Sequence, residues 1–471
     1  MTTPVSRHAA DGRPHPGGVA ARLGALALLG GLAAPPVRAQ EAPPRGEPTC
    51  DEGVGIAAGT CLSGEALVDG FANLRGGVHR GVAAFTQFKL GLGVDLGAQA
   101  EALQGWSFQA SGFGIYGRQP TPTLTGSFAP LSNAEALSSL RLSELWLERG
   151  FGDYGSVRFG QLAADAEFFT AAAAGGLTNG TFGWPLAAST ALPSGGPAYP
   201  FAAPGVRVAL GDPDEAGGLR LGVFSGDPGG HYGDGTDPQR HNRYGVNFSL
   251  AGGALFLAEA VTGASAPVGS DGPQPWVAKL GGWFHNGGFD DQRRAAFDVN
   301  SDPLSSGLLA DPGGSGTPFR RNNNHGVYGV GEVTLWRGGG GSIAAFARAS
   351  WTPPSRNLLG FYADGGLAWR GPFGRRGDTL SLGVAYARAS GEGRRYDRDR
   401  DRLADAGVPL RNRETVLEAD YEFQLVPDTL FLRPLVQWIS QPAANIPDAR
   451  YRRDAGLRDV VVLGLRVRAT L

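Results

Sequence analysis

Residues Asp459–Leu471, DVVVLGLRVRATL, decide the fold. Taken alternately, Val461, Leu463, Leu465, Val467, Ala469 and Leu471 make one face, and Val462, Gly464, Arg466, Arg468 and Thr470 make the other. A period of two over more than ten residues is a strand longer than globular proteins usually need. It suits a tilted strand crossing a bilayer, which takes about 9–11 residues.

The same pattern recurs upstream. In Arg413–Leu425, Thr415, Leu417, Ala419, Tyr421, Phe423 and Leu425 oppose Val416, Glu418, Asp420, Glu422 and Gln424. Asn357–Arg370 sets Leu359, Phe361, Leu367 and Trp369 against Tyr362, Asp364 and Arg370. Sixteen such runs begin near Val82, Trp106, Leu140, Ser156, Gly205, Leu219, Arg243, Ala254, Trp276, Gly326, Ser342, Asn357, Thr379, Arg413, Thr429 and Asp459. Connectors alternate between short (Gly152–Gly155, Arg337–Gly341, Pro427–Asp428) and long (Arg118–Ser139, Asp165–Pro204, Asn286–His325, Ser390–Asn412), with one short exception at Thr352–Arg356. Tight turns at one rim and long loops at the other describe an up-and-down barrel. The expected fold is therefore all-β: a sixteen-stranded antiparallel transmembrane β-barrel with short periplasmic turns and long extracellular loops. Trp276, Trp336, Trp351, Trp369 and Trp438 stand near the ends of runs, where such barrels carry aromatic girdles.

Composition agrees. With 76 glycines the chain suits strands and turns better than helices. A net charge of −2 argues against nucleic acid as a partner. No run after residue 40 has the roughly 18 apolar residues of a spanning helix. Arg7, Arg13 and Arg22 precede an apolar run from Leu23 to Ala34 and a Val37-Arg38-Ala39 cleavage signal, so residues 1–39 read as a secretory signal peptide. Residues 40–80 then form an N-terminal periplasmic segment, and residues 81–471 the barrel. Cys50 and Cys61, separated by ten residues in an exported chain, favour a local disulfide, with two free thiols as the alternative.

Enzyme motifs are missing: the chain has no Gly-x-Ser-x-Gly elbow, no Walker loop and no His-Glu-x-x-His. No catalytic residue, cofactor or metal site is expected. His231 and His241 share a loop with Asp234 and Asp237, which reads better as solvated chain than as a metal site. In RRYDRDRDRLAD (Arg394–Asp405) a calcium loop fails, because Arg402 stands where glycine is required and Val408 where glutamate is; an exposed zwitterionic loop is expected.

Charges on the polar strand faces carry the functional signal. Lys89, Glu144, Glu148, Arg158, Arg207, Arg220, Lys279, Arg348, Asp364, Arg370, Glu418, Asp420, Glu422, Arg433, Arg466 and Arg468 lie within proposed spans. Facing lipid at mid-depth, each Arg or Lys would cost roughly 2–4 kcal/mol. They must face a wet lumen, and both signs line it. Mixed charge suits neutral, hydroxyl-rich solutes better than a single ion class.

Several segments resemble the carbohydrate-selective porin family (the OprB type). Among them are RLSELWLE (Arg141–Glu148), RFGQLAADAEFF (Arg158–Phe169), NGTFGWP (Asn179–Pro185), PSGGPAYPFAAPGV (Pro193–Val206), VFSGDP (Val223–Pro228), KLGGWFH (Lys279–His285), NLLGFYA (Asn357–Ala363), VAYARA (Val384–Ala389), NIP (Asn445–Pro447) and VLGLR (Val462–Arg466), in family order over roughly residues 75–471. The resemblance implies an outer-membrane pore for small sugars, without energy input, with a constriction of infolded loops. It implies Arg158, Glu144 and Glu148 on the wall and Asp165, Glu167 and Trp184 in the following loop; Lys89, Asp364, Glu418, Asp420 and Arg466 join them as pore-lining candidates by register. Expected partners are sugars as solutes, outer-membrane lipid and lipopolysaccharide, and the barrel assembly machinery, which normally reads a terminal aromatic where this chain has Leu471. A monomer and a homo-oligomer both remain open. The alternatives are a non-selective porin, a barrel-borne enzyme or adhesin, and a soluble β-sandwich.

Overall fold

The computed structural model describes residues 53–471 except 214–216, 231–235, 265–274, 303, 405–406, 408 and 448–454. The signal-peptide reading, Cys50, His231 and Asp234 therefore lie outside the described residues.

Sixteen strands close into one antiparallel barrel: β1 Thr60–Arg75, β2 Gly81–Asp95, β3 Trp106–Gly117, β4 Ser139–Gly150, β5 Gly155–Leu162, β6 Ala203–Asp212, β7 Gly217–Ser225, β8 Ala254–Ala264, β9 Trp276–His285, β10 Asn324–Gly338, β11 Gly341–Trp351, β12 Leu359–Arg370, β13 Thr379–Ala389, β14 Arg413–Val426, β15 Leu430–Ser440 and β16 Val460–Thr470. Each pairs with its chain neighbour, and β16 closes on β1, Arg466 opposite Asp69 and Val467 opposite Val68. Closure leaves no unpaired edge, the condition for a sheet in lipid.

Alternation sorts the side chains as the sequence predicts. On β16, Leu463, Leu465 and Val467 are exposed on the outer wall, while Val462 and Arg466 are buried within. Trp276, Trp336 and Trp369 ring the rim of short turns; Trp351 and Trp438 lie near the opposite rim.

Two strands differ from expectation. The boundary placed at residue 81 is too late, because Thr60–Arg75 is the first barrel strand. Its lumen face carries Leu67 and Phe71, both buried against infolded loops, so the polar–apolar contrast is blurred. Cys61 on this strand is disulfide-bonded. Conversely, the run beginning at Arg243 is no strand. Tyr244, Val246, Phe248 and Leu250 alternate and are exposed, but this segment belongs to the long loop between β7 and β8. It crosses to β4, where the Leu142 amide donates to the Tyr244 carbonyl and Gln161 Nε2 donates to the Gly245 carbonyl. It thus patches the wall where β4 and β5 part, since their pairing stops at Leu145 and Gln161.

The zwitterionic run is a helix, α1 (Gly391–Ala404), not an irregular loop. Glu and Arg at close spacing support helical turns. Asp397 and Asp399 are buried by Arg411 (2.8 Å) and Arg293 (2.6 Å).

Candidate functional site: the lumen and its infolded loops

Two long loops leave the rim and enter the barrel: residues 118–138, between β3 and β4, and residues 163–202, between β5 and β6. Their irregular backbone, with only short helical turns such as Gly180–Gly183 and Leu186–Ala191, leaves many peptide groups without partners of their own. Inside a barrel those groups must be satisfied by the wall.

Wall carboxylates accept the amides. Glu418 takes Thr178 and Asn179 N–H at 3.0 Å, Glu259 takes Phe169, Glu332 takes Ala173, and Glu414 takes Phe128 and Ala129. A wall arginine supplies donors for the carbonyls. Arg348 donates to the carbonyls of Phe169, Thr181, Phe182 and Gly183 while paired with Asp364. The two loops also join each other, the Asn133 amide donating to the Thr178 carbonyl.

Apolar packing completes the seat. Phe182, Leu177, Leu186, Phe346 and Tyr362 belong to one buried cluster between loop and wall. Gly383 on β13 makes room for it: an added Cβ would lie 2.6 Å from a Leu177 methyl and 2.7 Å from the Phe182 ring. The wet lumen expected from the inward charges is only partly realised. Much of the polar face meets loop backbone, and part of the lumen is a packed interior.

The expected pore-lining residues divide into three groups. Lys89, Asp165, Trp184 and Arg466 line a cavity of about 950 Å³, and Glu144 lines a second of about 620 Å³ toward the turn rim. Asp364, Glu418 and Asp420 face inward but line neither cavity: each is buried behind the 163–202 loop, where Arg348 and Tyr362 bind Asp364, the Thr178 and Asn179 amides bind Glu418, and the Thr178 hydroxyl donates to one oxygen of Asp420. Glu148, Arg158 and Glu167 form an ion-pair network at the base of the loop. Arg158 binds Glu148 (2.7 Å) and Glu167 (2.6 Å) and stacks 4.0 Å over Trp146, while Arg207 binds the same two carboxylates. This network pins the start of the loop to β4, β5 and β6 and lines neither cavity.

The two cavities share Glu65, Lys89, Asp165, Tyr199, Pro200 and Arg468 in their linings. Lys89 lies 3.5 Å from Glu65, and Arg468 lies 3.5 Å from Glu422 and 3.9 Å from Glu65. Opposite them the 163–202 loop is closed on itself and tied to the first loop: Asp165 accepts the Tyr199 amide, and the Tyr199 hydroxyl donates to the Ala134 carbonyl of the 118–138 loop. Charges of the wall thus face a loop limb bearing a carboxylate and an aromatic ring. Desolvation by the loops pushes the Asp165 carboxyl up to about 6 and the Glu135 carboxyl, on the first loop, up to about 7.

Sequence reading missed Glu65, Tyr199 and Glu135. Glu65 sits on the unrecognised strand, and the two loop residues have no periodicity to place them. Arg468 and Glu422 were legible as lumen-facing but not as neighbours. Among the described residues no group of acids, histidines and cysteines is arranged to hold a metal. His241 bonds Thr236 instead, and buried His285 bonds the Gly226 carbonyl.

The profile of the carbohydrate-selective porin, OprB family, matches residues 79–471. No curated protein sequence matches the chain. The high-pH structure of OprB from Pseudomonas putida superposes with a TM-score of 0.71 at 19 % identity, covering 88 % of this chain and 94 % of that one. The low-pH structure of the same protein gives 0.47 at 15 % identity, covering 88 % and 92 %. The outer membrane channel DcaP of Acinetobacter baumannii gives 0.48 at 12 % identity, covering 89 % and 99 %. A closed sixteen-strand barrel with loops bound in its lumen, matched by the family profile over most of its length, makes this chain a member of the carbohydrate-selective porin, OprB family, and an outer-membrane sugar porin.

Proposed function

We propose that solutes pass between the Asp165–Tyr199–Pro200 limb and the wall at Lys89, Glu65 and Arg468, and that monosaccharides and similar small neutral solutes are preferred. The observation that carries this reading is the shared lining of the two cavities by those six residues. Paired charges of both signs offer donors and acceptors to hydroxyl groups without a strong net field, so neither anions nor cations gain a large advantage. Tyr199 and Trp184 add aromatic faces for the apolar side of a sugar ring. Passage is passive, and the residues described carry out no chemistry on the solute. An outer-membrane location also makes lipopolysaccharide and the barrel assembly machinery partners of the chain.

Liposome swelling with the purified protein tests the reading, using a pentose, a hexose, a disaccharide and an amino acid. Pentose and hexose entering faster than the amino acid, with the order changed by Lys89→Ala and Asp165→Asn, is the expected result. Equal rates for solutes of equal size, unchanged in both variants, would leave a non-selective pore.

A further inference from the structure

Arg388 is the last-but-one residue of β13, and its cross-strand partner on β14 is Arg413. Both point away from the lumen, since the alternate residues Ala387, Ala389 and Glu414 are buried inside while Val384 and Leu417 are exposed on the lipid-facing wall. Two guanidinium groups directly opposite each other on one sheet face repel. They stand at the rim of long loops, where the following helix α1 adds Arg394, Arg395 and Arg398. Burial of Arg394 and the nearby charges of Arg388, Arg398 and Arg395 together hold its guanidinium below the ordinary arginine range.

Counter-charge is short here. Among the described residues, Arg388, Arg394, Arg398 and Arg413 have no carboxylate partner, although the same helix pairs Asp397 and Asp399 with arginines elsewhere. The Arg394 Nε is buried and makes no hydrogen bond. Phe361, exposed on the outer wall beside Arg388, supplies an apolar floor below the cluster.

We propose that this cluster binds the phosphate of a phosphorylated lipid headgroup in the outer leaflet of the membrane. A phosphate accepts bidentate bonds from several guanidinium groups at once and removes their mutual repulsion. The lipid source is indicated by position. Arg388 and Arg413 flank the apolar wall rather than the pore, so a ligand reaching them with acyl chains would lay those chains on Phe361, Val384 and Leu417.

Native mass spectrometry of the full-length protein in detergent tests this with added lipid A, dephosphorylated lipid A and inorganic phosphate. Lipid A is expected to remain bound, with at least tenfold weaker binding in R388A/R413A and little retention of the dephosphorylated form. Equal retention of both lipid forms, or unchanged binding in the variant, would overturn the proposal; competition by inorganic phosphate as effective as lipid A itself would overturn the lipid source. R395A/R398A alters only the helix, outside the barrel wall, and is expected to weaken binding in the same direction if the wall variant does not assemble. Sugar swelling by these variants is expected to be unchanged, so the result stands apart from the pore reading.

Discussion

Arg348 on β11 and Asp364 on β12 face each other across the sheet, both side chains fully buried, and the arginine spends its remaining N–H groups on four carbonyls of the infolded loop. The pair is the joint between wall and loop. Asp364 fixes the guanidinium, also receiving the Tyr362 hydroxyl, and the guanidinium fixes the loop.

Replacing Arg348 with methionine is expected to cost about 3–5 kcal/mol, because Asp364 is left charged and buried without its partner. Urea unfolding in detergent measures the loss. The same variant should raise single-channel conductance and flatten the solute preference. The double variant Arg348→Met/Asp364→Leu should recover most of the stability without restoring the conductance, separating charge burial from loop anchoring.

Glu418→Ala strands the amides of Thr178 and Asn179, at about 1–3 kcal/mol for each buried donor left unmade. Glu418→Gln keeps one acceptor oxygen and should lose less. Open-channel current noise should rise in Glu418→Ala as the loop loses its hold, and remain near the parent level in Glu418→Gln.

Asp165 and Glu135 titrate in the loops at about 6 and about 7. Both values lie above the unfolded carboxylate range of roughly 3.9–4.3. The folded protein therefore holds protons that the unfolded chain has released, and stability contributed by these groups is present at low pH and lost as pH rises through the folded values. From pH 5 to pH 8 the cavity gains negative charge, so cation-over-anion permeability should increase. Reversal potentials in a salt gradient read this directly. Glu135→Gln should remove the upper part of the change; a parent profile flat across this range would sink the argument.

Lys89→Ala and Arg158→Ala should separate pore lining from support. Lys89 is half exposed to the cavity, and its contact with Glu65 is worth about 1 kcal/mol or less. Its loss should shift ion preference with stability unchanged. Arg158 lies in the loop-base network, where hydrogen bonds to charged partners contribute about 1.5–3 kcal/mol each. Its loss should lower stability first and alter permeation only through the loop. Paired urea titrations and reversal potentials distinguish the two.

Much of this was legible from residue order alone. Fifteen of the sixteen expected runs became strands, because outward Leu, Val and Trp against inward Arg, Glu and Asp is a contrast that burial enforces residue by residue. The pattern failed in two places for physical reasons. On Thr60–Arg75 the inner face is apolar at Leu67 and Phe71 because it meets a packed loop rather than water. On Arg243–Leu250 the alternation is real, with Tyr244, Val246, Phe248 and Leu250 turned outward, but an extended loop laid over a gap produces the same period as a strand.

Sequence by itself determined the all-β barrel class, the faces of fifteen of its strands and the family to which the chain belongs, since alternation is local and lipid admits few alternatives. Tertiary structure alone decided which inward charges line a cavity. Glu418, Asp364 and Lys89 are alike in register, yet the 163–202 loop covers the first two and leaves the third open. The reason is that the loop's unpaired peptide groups must find donors and acceptors on the wall, and which charges they consume depends on where the loop folds, a contact between residues more than 150 positions apart.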